Sequence, residues 1–322
     1  MKNFMQICML IMEVSVVIVS MNRPDLLGPC LKGIAEYTEA EYEVFVVAYM
    51  YSDENLTALK SSWTGVHFIE SRELRGFSEN NNLALREVKT PYTFIVNDDT
   101  LMSEPVIDKL LEDMTRAGDK VAAVSPRIVF PDGRVQTCGR GAWGMWKYMR
   151  HYLGLVDETK PSKWTMGVGL FRTWTLNGAC FLARTDVFRE AGWFDETYMF
   201  TPEDIALGHK FNEMGYEVWC DADVNIVHIA GGTASGMEAA IKPARVRGAL
   251  LFYSRGCCFR YVVLGAFVWF YEALRLLKYT VSGHSDGRAA VMYDTARNVM
   301  RTVFTRKSPK EVFVELYHSV VS

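Results

Sequence analysis

The sequence predicts an α/β domain built around a parallel sheet, and three observations carry that expectation. Residues 14–20 (VSVVIVS) form an unbroken β-branched run, the composition of a strand covered on both faces. Strand-like and helix-like segments then alternate at short spacing to about residue 120, the rhythm of βαβ units. The fourth strand-like run, 92–96 (YTFIV), stops at Asn97-Asp98-Asp99-Thr100, and open parallel sheets place ligands at such strand ends.

In order along the chain, Asn22-Arg23-Pro24 breaks the first strand and residues 24–37 read as a helix. Residues 42–49 (YEVFVVAY) are a second strand and 53–63 a second helix; 66–70 are a third strand and 78–88 a third helix. Beyond residue 120 the rhythm changes. Residues 121–130 and 176–183 look like strands, separated by a loop-rich region, 131–175, that holds Trp143, Trp146, Trp164 and Trp174 among glycines. Residues 203–214 are helical in pattern, with Gly215 placed as the C-terminal stop. Residues 217–229 read as one or two strands, and from about 239 the chain reads as helices.

The 322 residues suffice for one large domain or two small ones, and 49% apolar with 23% charged residues describes a globular chain. The net charge of −3 conceals an asymmetry: residues 241–322 hold 13 Lys/Arg against 5 Asp/Glu, a balance of +8, so residues 1–240 carry −11. This excludes a uniformly basic nucleic-acid binder and gives the tail an anionic surface as its expected partner. Seven cysteines, without a CxxC pair, indicate neither a disulfide framework nor a cysteine zinc site, which fits a reducing compartment such as the cytoplasm. Residues 1–12, with Lys2 before an apolar stretch, imitate a secretory leader. Glu13 interrupts the stretch and no small-x-small site follows, so the reading is an extension leading into the first strand. In the tail, the longest apolar run is 261–271, too short for the ~20 residues that span a bilayer. Arg255, Arg260, Arg275 and Lys278 flank it, the composition of a helix lying in a membrane interface; a helix buried against the main domain or a second subunit is the alternative.

Two adjacent carboxylates at a strand end repel each other and call for a cation or strong donors. Hard oxygen ligands suit Mg²⁺ or Mn²⁺, which also bridge a diphosphate. The plainer reading of Asp98 and Asp99 is a cap for the helix after Pro105. The surroundings shift the balance. VSVVIVSMNR (14–23), RGFSENNN (75–82), YTFIVNDDT (92–100), NGACFLAR (177–184), AGWFDE (191–196), PEDIALGHKFNEMGY (202–216) and VNIVHIAGG (224–232) occur in that order. This set resembles the family 2 glycosyltransferases, and within them the rhamnosyltransferase-type members, over about residues 13–235.

The resemblance implies a GT-A fold, with a mixed, mostly parallel central sheet and a C-terminal helical extension. It divides the chain into a glycosyltransferase domain over 1–238 (nucleotide-binding part 13–120, acceptor-binding part 121–238) and a helical region over 239–322, membrane-peripheral or oligomerising. It makes Asp99 and His228 metal ligands, with Asp98 on the donor ribose or assisting the metal. Ser20, Met21 and Arg23 would line the nucleotide pocket, with Asp53 after the second strand and Asn97 opening the acidic triplet. Arg75, Gly76, Phe77 and Asn82 would close over the donor. Glu203 and Asp204 would be the catalytic acid pair, with Asp204 the general base; a helix start following Thr201-Pro202, where acids favour the N-terminal dipole, is the plainer reading, and both can hold at once. One departure stands out: where the family usually has an aspartate for the nucleobase, this chain has Ala48, then Tyr49.

The implied reaction is metal-dependent, inverting transfer of a sugar from a dTDP- or UDP-linked donor, L-rhamnose from dTDP-L-rhamnose favoured. The acceptor would be a hydroxyl of a cell-surface polysaccharide or lipid-linked glycan, at the inner face of a membrane. Two other classes have specific sequence requirements. A nucleotidyltransferase needs a glycine-rich basic phosphate loop after the first strand, and Ser20-Met21-Asn22-Arg23-Pro24 is not one. A degenerate glycan-binding or scaffolding subunit is favoured by Ala48 alone. The tryptophans of 143–174 are candidates for sugar stacking or loop anchoring. Asp195 is a candidate for acceptor contact or a turn cap.

Overall fold

The structure is a computed structural model that describes residues 13–137, 139–157, 160, 162–229, 237–282 and 287–321. The leader-like residues 1–12, Cys8, Cys138 and Ala230-Gly231-Gly232 lie outside the described residues. The first part follows the alternation read from the sequence: β1 (Val14–Met21), α1 (Pro24–Tyr37), β2 (Tyr42–Tyr49), α2 (Asp53–Ser62), β3 (Val66–Ser71), α3 (Phe77–Leu85) and β4 (Tyr92–Val96). Next come β5 (Thr100–Leu101), α4 (Val106–Ala117), β6 (Val121–Val129), β7 (Val135–Thr137), α5 (Met145–Tyr152), β8 (Leu170–Thr173), β9 (Cys180–Arg184), α6 (Thr185–Glu190), α7 (Glu203–Glu213) and β10 (Glu217–His228). The described chain ends in α8 (Glu238–Ser254), α9 (Cys258–Ser282), α10 (Gly287–Thr302) and α11 (Pro309–Val321).

The strands form one sheet in the order β3-β2-β1-β4-β9-β6-β10-β5, with β7 beside β6 and β8 beside β10. It is mixed. β1 is parallel to β2 and β4, β2 to β3, and β6 to β10, whereas β9 runs antiparallel to both β4 and β6. Two reversals cancel, so β6 and β10 point the same way as β1–β4. The carboxyl ends of β1, β2, β4 and β10 therefore meet on one edge.

Period-2 alternation puts a different set of side chains on each face. Val14, Val16 and Ile18 of β1 pack with Phe94 and Val96 of β4 beneath α1, α2 and α4. Val17, Phe45, Val47 and Ile95 pack on the opposite face with α3, α6 and α7. That two-sided cover is what the continuous β-branched run called for; each such side chain fully buried is worth roughly 1.5–3 kcal/mol.

Where sequence and structure differ, local hydrogen bonds explain it. The strand expected over 176–183 begins only at Cys180, because the Asn177 side chain accepts from Ala179 N–H at 3.0 Å and holds a turn there. The segment 217–229 is one strand with register shifts at Glu217/Val218 and Asp221/Asn225; Asp221 Oδ1 accepts from Asp223 N–H at 2.8 Å within the second irregularity. The loop-rich 131–175 holds β7, α5 and β8: β7 folds back as a hairpin on β6, whereas β8 pairs with β10 and α5 packs on α8 and α9.

The C-terminal helices share two apolar clusters with the rest of the chain. One joins α5, α8, α9 and α10 through Tyr148, Leu250, Leu264 and Val299. The other joins α8 and α11 to Met199 and Phe200 through Ile241, Ala244, Val312 and Phe313. At the first junction Glu272 is fully buried. It accepts from Tyr152 Oη at 2.5 Å, Lys242 Nζ at 2.8 Å and Arg275 Nη1 at 2.9 Å, so two cations and a phenol compensate its desolvation.

Candidate active site

Three strand ends build the floor of a cavity of about 370 Å³. β4 ends in the turn Asn97-Asp98-Asp99, closed by bonds from Thr100 N–H and Thr100 Oγ1 to the Asn97 carbonyl at 3.3 and 2.9 Å. β5 then pairs antiparallel with β10, setting Thr100 opposite His228, and Ile229 N–H donates to the Asp99 carbonyl at 3.0 Å. Register alone thus brings together residues distant in the chain: His228 Nε2 lies 3.1 Å from Asp99 Oδ1. His228 Nδ1 lies 2.7 Å from Gln136 Oε1, on the short strand β7. With Nδ1–H donated to that amide, the bare Nε2 faces a carboxylate oxygen, an arrangement that a proton or a divalent cation between them resolves.

Asp98 is buried beside them. Burial drives its carboxyl up to about 6, with Asp99 adding to the rise and a hydrogen bond from Ser20 opposing it. Ser20 Oγ in turn lies 2.7 Å from Tyr51 Oη. Among the described residues no group of three or more His, Cys, Asp or Glu side chains forms a complete metal cage. An Asp–His pair with Asp98 adjacent still fits Mg²⁺ or Mn²⁺, because such sites usually take one or two protein ligands and complete the shell with phosphate and water oxygens.

The acid pair heads α7, where carboxylates meet the positive end of the helix dipole. The two side chains part company. Glu203 lines the cavity, and its buried Oε2 has no hydrogen-bond partner. Burial, then the Asp204 charge, pushes its carboxyl well above the usual range. Asp204 lies outside that lining. Its Oδ2 accepts from Arg140 Nη1 at 3.1 Å and Gly178 N–H at 3.3 Å, and its Oδ1 from Ile205 N–H at 2.7 Å. Glu203 has the position at the cavity and Asp204 the hydrogen-bond donors.

Of the other expected residues, Met21, Arg75, Gly76, Phe77 and Asn97 line the cavity with Asp98, Asp99 and His228. Gly76 is required by a close approach: a Cβ there would sit 2.3 Å from the Met199 carbonyl oxygen, which takes the Phe77 N–H. Ser20 and Arg23 stand just outside the lining and act on Asp98, whereas Asp53, Asn82 and Ala48 lie elsewhere. Asp53 is exposed at the start of α2 and pairs with Arg72 at 2.6 Å. Arg23 pairs with Asp25 at 2.6 Å. Asn82 is turned to the opposite side of α3, where it holds Phe194 and Glu196, and Asn80 takes its place at the cavity. Ala48 points into the apolar layer beneath α1 and α2, while the next residue, Tyr49, faces the cavity and accepts from Arg75 N–H at 3.3 Å. Trp143 is a buried anchor against Tyr253, Trp146 is exposed, and none of the four tryptophans lines this cavity. Asp195 caps a turn by accepting from Thr197 N–H at 2.9 Å.

The sequence reading missed the roof. Ile241 and Arg245 of α8 and Phe313 and Tyr317 of α11 close the cavity, with Leu74 and Phe200. Arg245 stands near Glu203, whose charged form its guanidinium favours. Lys310 at the start of α11 pairs with Glu79 of α3 at 2.6 Å and ties roof to wall. Only the aromatic and basic content of the tail hinted at this.

Residues 15–189, just over half of the chain, match the sequence profile described as Glycosyl transferase family 2. The chain belongs to that family. The acid pair, His228 and the roof lie beyond the matched segment. O-antigen biosynthesis protein RfbC of Myxococcus xanthus is 26% identical over 227 residues, 67% of this chain and 17% of that protein. An N-acetylglucosaminyl-diphospho-decaprenol L-rhamnosyltransferase of Mycobacterium tuberculosis is 29% identical over 134 residues, 39% of this chain and 42% of the relative. The chain thus spans less than half the length of either relative.

Among solved structures, the mannosyltransferase PcManGT from Pyrobaculum calidifontis, in complex with GDP-Man and Mn²⁺, aligns with 96% of this chain and 87% of its own at TM-score 0.54 and 16% identity. GalNAc-T7 with UDP, GalNAc and Mn²⁺ aligns with 68% of this chain and 43% of its own at TM-score 0.53 and 15% identity. At these identities the likeness is one of fold: GT-A, with the mixed, mostly parallel sheet described above.

Proposed function

We propose that this family 2 member transfers a sugar from a nucleoside-diphosphate donor to a hydroxyl of a cell-surface polysaccharide or lipid-linked glycan, with inversion. The observation that carries the reading is the convergence of Asp98, Asp99, His228 and Glu203 on one cavity at the carboxyl ends of parallel strands. Aromatic walls from Tyr49, Phe77 and Tyr317 suit a nucleobase and sugar, and Arg245 suits a diphosphate. L-rhamnose from dTDP-L-rhamnose is the favoured sugar, on the resemblance and on the name of one relative.

Asp99 and His228 would hold Mg²⁺ or Mn²⁺, with Asp98 beside them. When bound, the ion supplies Lewis-acid stabilisation of the departing diphosphate. The chain's own groups do the rest. Arg245 and Arg75 bring positive charge to the same cavity. Asp204 is the proposed proton acceptor for the attacking hydroxyl, because its oxygens are held by Arg140, Gly178 and Ile205 whereas the buried Glu203 Oε2 has no such donor among the described residues; Arg140 must yield its hydrogen bond for an acceptor to take it. Glu203, whose carboxyl burial pushes toward the protonated form, is the proposed hydrogen-bond donor to the bound substrate.

Release of nucleoside diphosphate from dTDP-, UDP- and GDP-sugars, with Mn²⁺ and candidate acceptors, tests the reading. Asp204→Asn is expected to lower turnover about 10²–10⁴-fold at nearly unchanged donor affinity, the range for loss of a general base. Normal turnover by Asp204→Asn together with loss in Glu203→Gln would move the base to Glu203.

A further inference from the structure

α9 carries an apolar stripe that nothing in the described residues covers. Phe259, Val262, Phe270, Leu274, Leu277 and Val281 are all exposed, from 51% to 80%. At 100° per residue they fall within an arc of about 120°, along a helix roughly 37 Å long. Ala266 continues the stripe, and Trp269 borders it, 42% exposed. Phe304, 51% exposed, lies over Gly265 and broadens it; a Cβ on Gly265 would come within 2.5 Å of the Phe304 ring. Isolated exposed apolar residues are ordinary, but a continuous row of this size on one helix marks a contact surface.

The outward direction of the row is fixed from behind. Leu264, Val268 and Glu272 fall on the opposite face of α9 and are fully buried. The Glu272 bonds to Tyr152 of α5 and Lys242 of α8 oppose rotation of the helix about its axis. Glu272 is also the only acid on α9, so its burial leaves the exposed face without a carboxylate. Arg260 and Lys278 share one edge of the stripe, two cations beside a row of aromatic and aliphatic side chains.

We propose that this face of α9 lies in the headgroup layer of an anionic phospholipid bilayer, with the stripe dipping toward the acyl chains and Arg260 and Lys278 at the phosphates. No helix among the described residues is long and apolar enough to cross a membrane. α9 is long enough but carries Glu272 and Arg275 near its middle, so the geometry is that of a helix lying flat. Charge complementarity selects lipid over a second copy. Antiparallel pairing of two copies about Phe270 would set Arg260 of one beside Lys278 of the other, with no acid on either stripe to offset them. A headgroup phosphate neutralises both.

The proposal stands apart from the sugar-transfer reading, since Phe270 and Leu277 do not line the cavity. The test is co-sedimentation of the full chain with vesicles of phosphatidylcholine containing about a third phosphatidylglycerol, and with phosphatidylcholine alone, at low and high salt. Binding is expected on the anionic vesicles, weakened at least tenfold by high salt or by omitting phosphatidylglycerol. Phe270→Glu with Leu277→Glu is expected to lower it at least tenfold again, while Val168→Glu, an exposed apolar residue elsewhere, leaves it unchanged. Thermal stabilisation by nucleoside diphosphate, retained in the double variant, shows that the variant is folded. Absence of vesicle binding, or binding indifferent to the double variant, overturns the proposal. So does a stable dimer in solution that the double variant dissolves, for the stripe would then be covered by a second copy.

Discussion

The floor and the roof of the cavity are made by different rules. The floor is a set of strand ends: Asp98 and Asp99 after β4, His228 at the end of β10, Met21 at the end of β1. Their positions follow from ladder register, which a few hydrogen bonds per residue determine. The roof is α8 and α11, held by apolar packing on Met199 and Phe200 and by one partly exposed ion pair, Lys310–Glu79. The difference teaches that the strand ends fix the acids and the histidine, while the part that packs by area supplies shape and one cation, Arg245. Helices resting on a modest apolar cluster are also the elements most able to open.

The largest effect that would sharpen this contrast is at the floor. Asp99→Ala is expected to reduce donor turnover about 10²–10³-fold and to weaken Mn²⁺-dependent nucleotide binding by calorimetry, since it removes the proposed metal ligand and leaves His228 without its partner. At the roof, Arg245→Met is expected to weaken nucleoside-diphosphate affinity about tenfold, the loss of one charge-assisted contact, with little change in melting temperature. A floor-sized loss there would break the division between the two parts. Lys310→Met removes only a partly exposed pair, so a change in donor KM of about two- to fivefold is expected, with kcat nearly constant.

A smaller prediction probes the sheet itself. Asp113 of α4 is buried near Asp221 of β10, and burial with that second carboxylate pushes its carboxyl up to about 7. The folded state then holds a proton that the unfolded chain has already lost above the ordinary carboxylate range. Stability is therefore greatest at acid pH for this pair and declines as pH rises through about 7. Asp113→Asn should flatten that decline, seen as a melting temperature a few degrees above the parent at pH 8 and near the parent at pH 5.

How much of this was legible follows the same division. β1, β2, β4 and the turn at Asn97 were readable because their signals are local: a β-branched run, an alternation, a polar stop. The antiparallel insertion of β9 was not readable from the residues, since CFLAR states nothing about direction. Asn82 was placed at the donor because it lies in the right motif, yet the helical rotation of two residues gives that place to Asn80 and turns Asn82 to Phe194. Ala48 looked like a gap in the pocket, but strand alternation sends its side chain into the core and hands the cavity to Tyr49. Phe313 and Tyr317 sit in an ordinary amphipathic pattern, and nothing local distinguishes a helix that roofs a cavity from one that packs on a subunit.

The double reversal around β9 has a further consequence for how such a catalyst can change. Because β6 and β10 are returned to the orientation of β1–β4, the groups at the cavity floor share one ledge whose alignment is set by strand direction and register. The loops of 141–169, and the helices after β10, can then be lengthened or exchanged as long as Gln136, Arg140 and β8 stay in place behind His228, Asp204 and β10. New sugars and new acceptors become matters of upholstery, fitted to a frame that stays where it is.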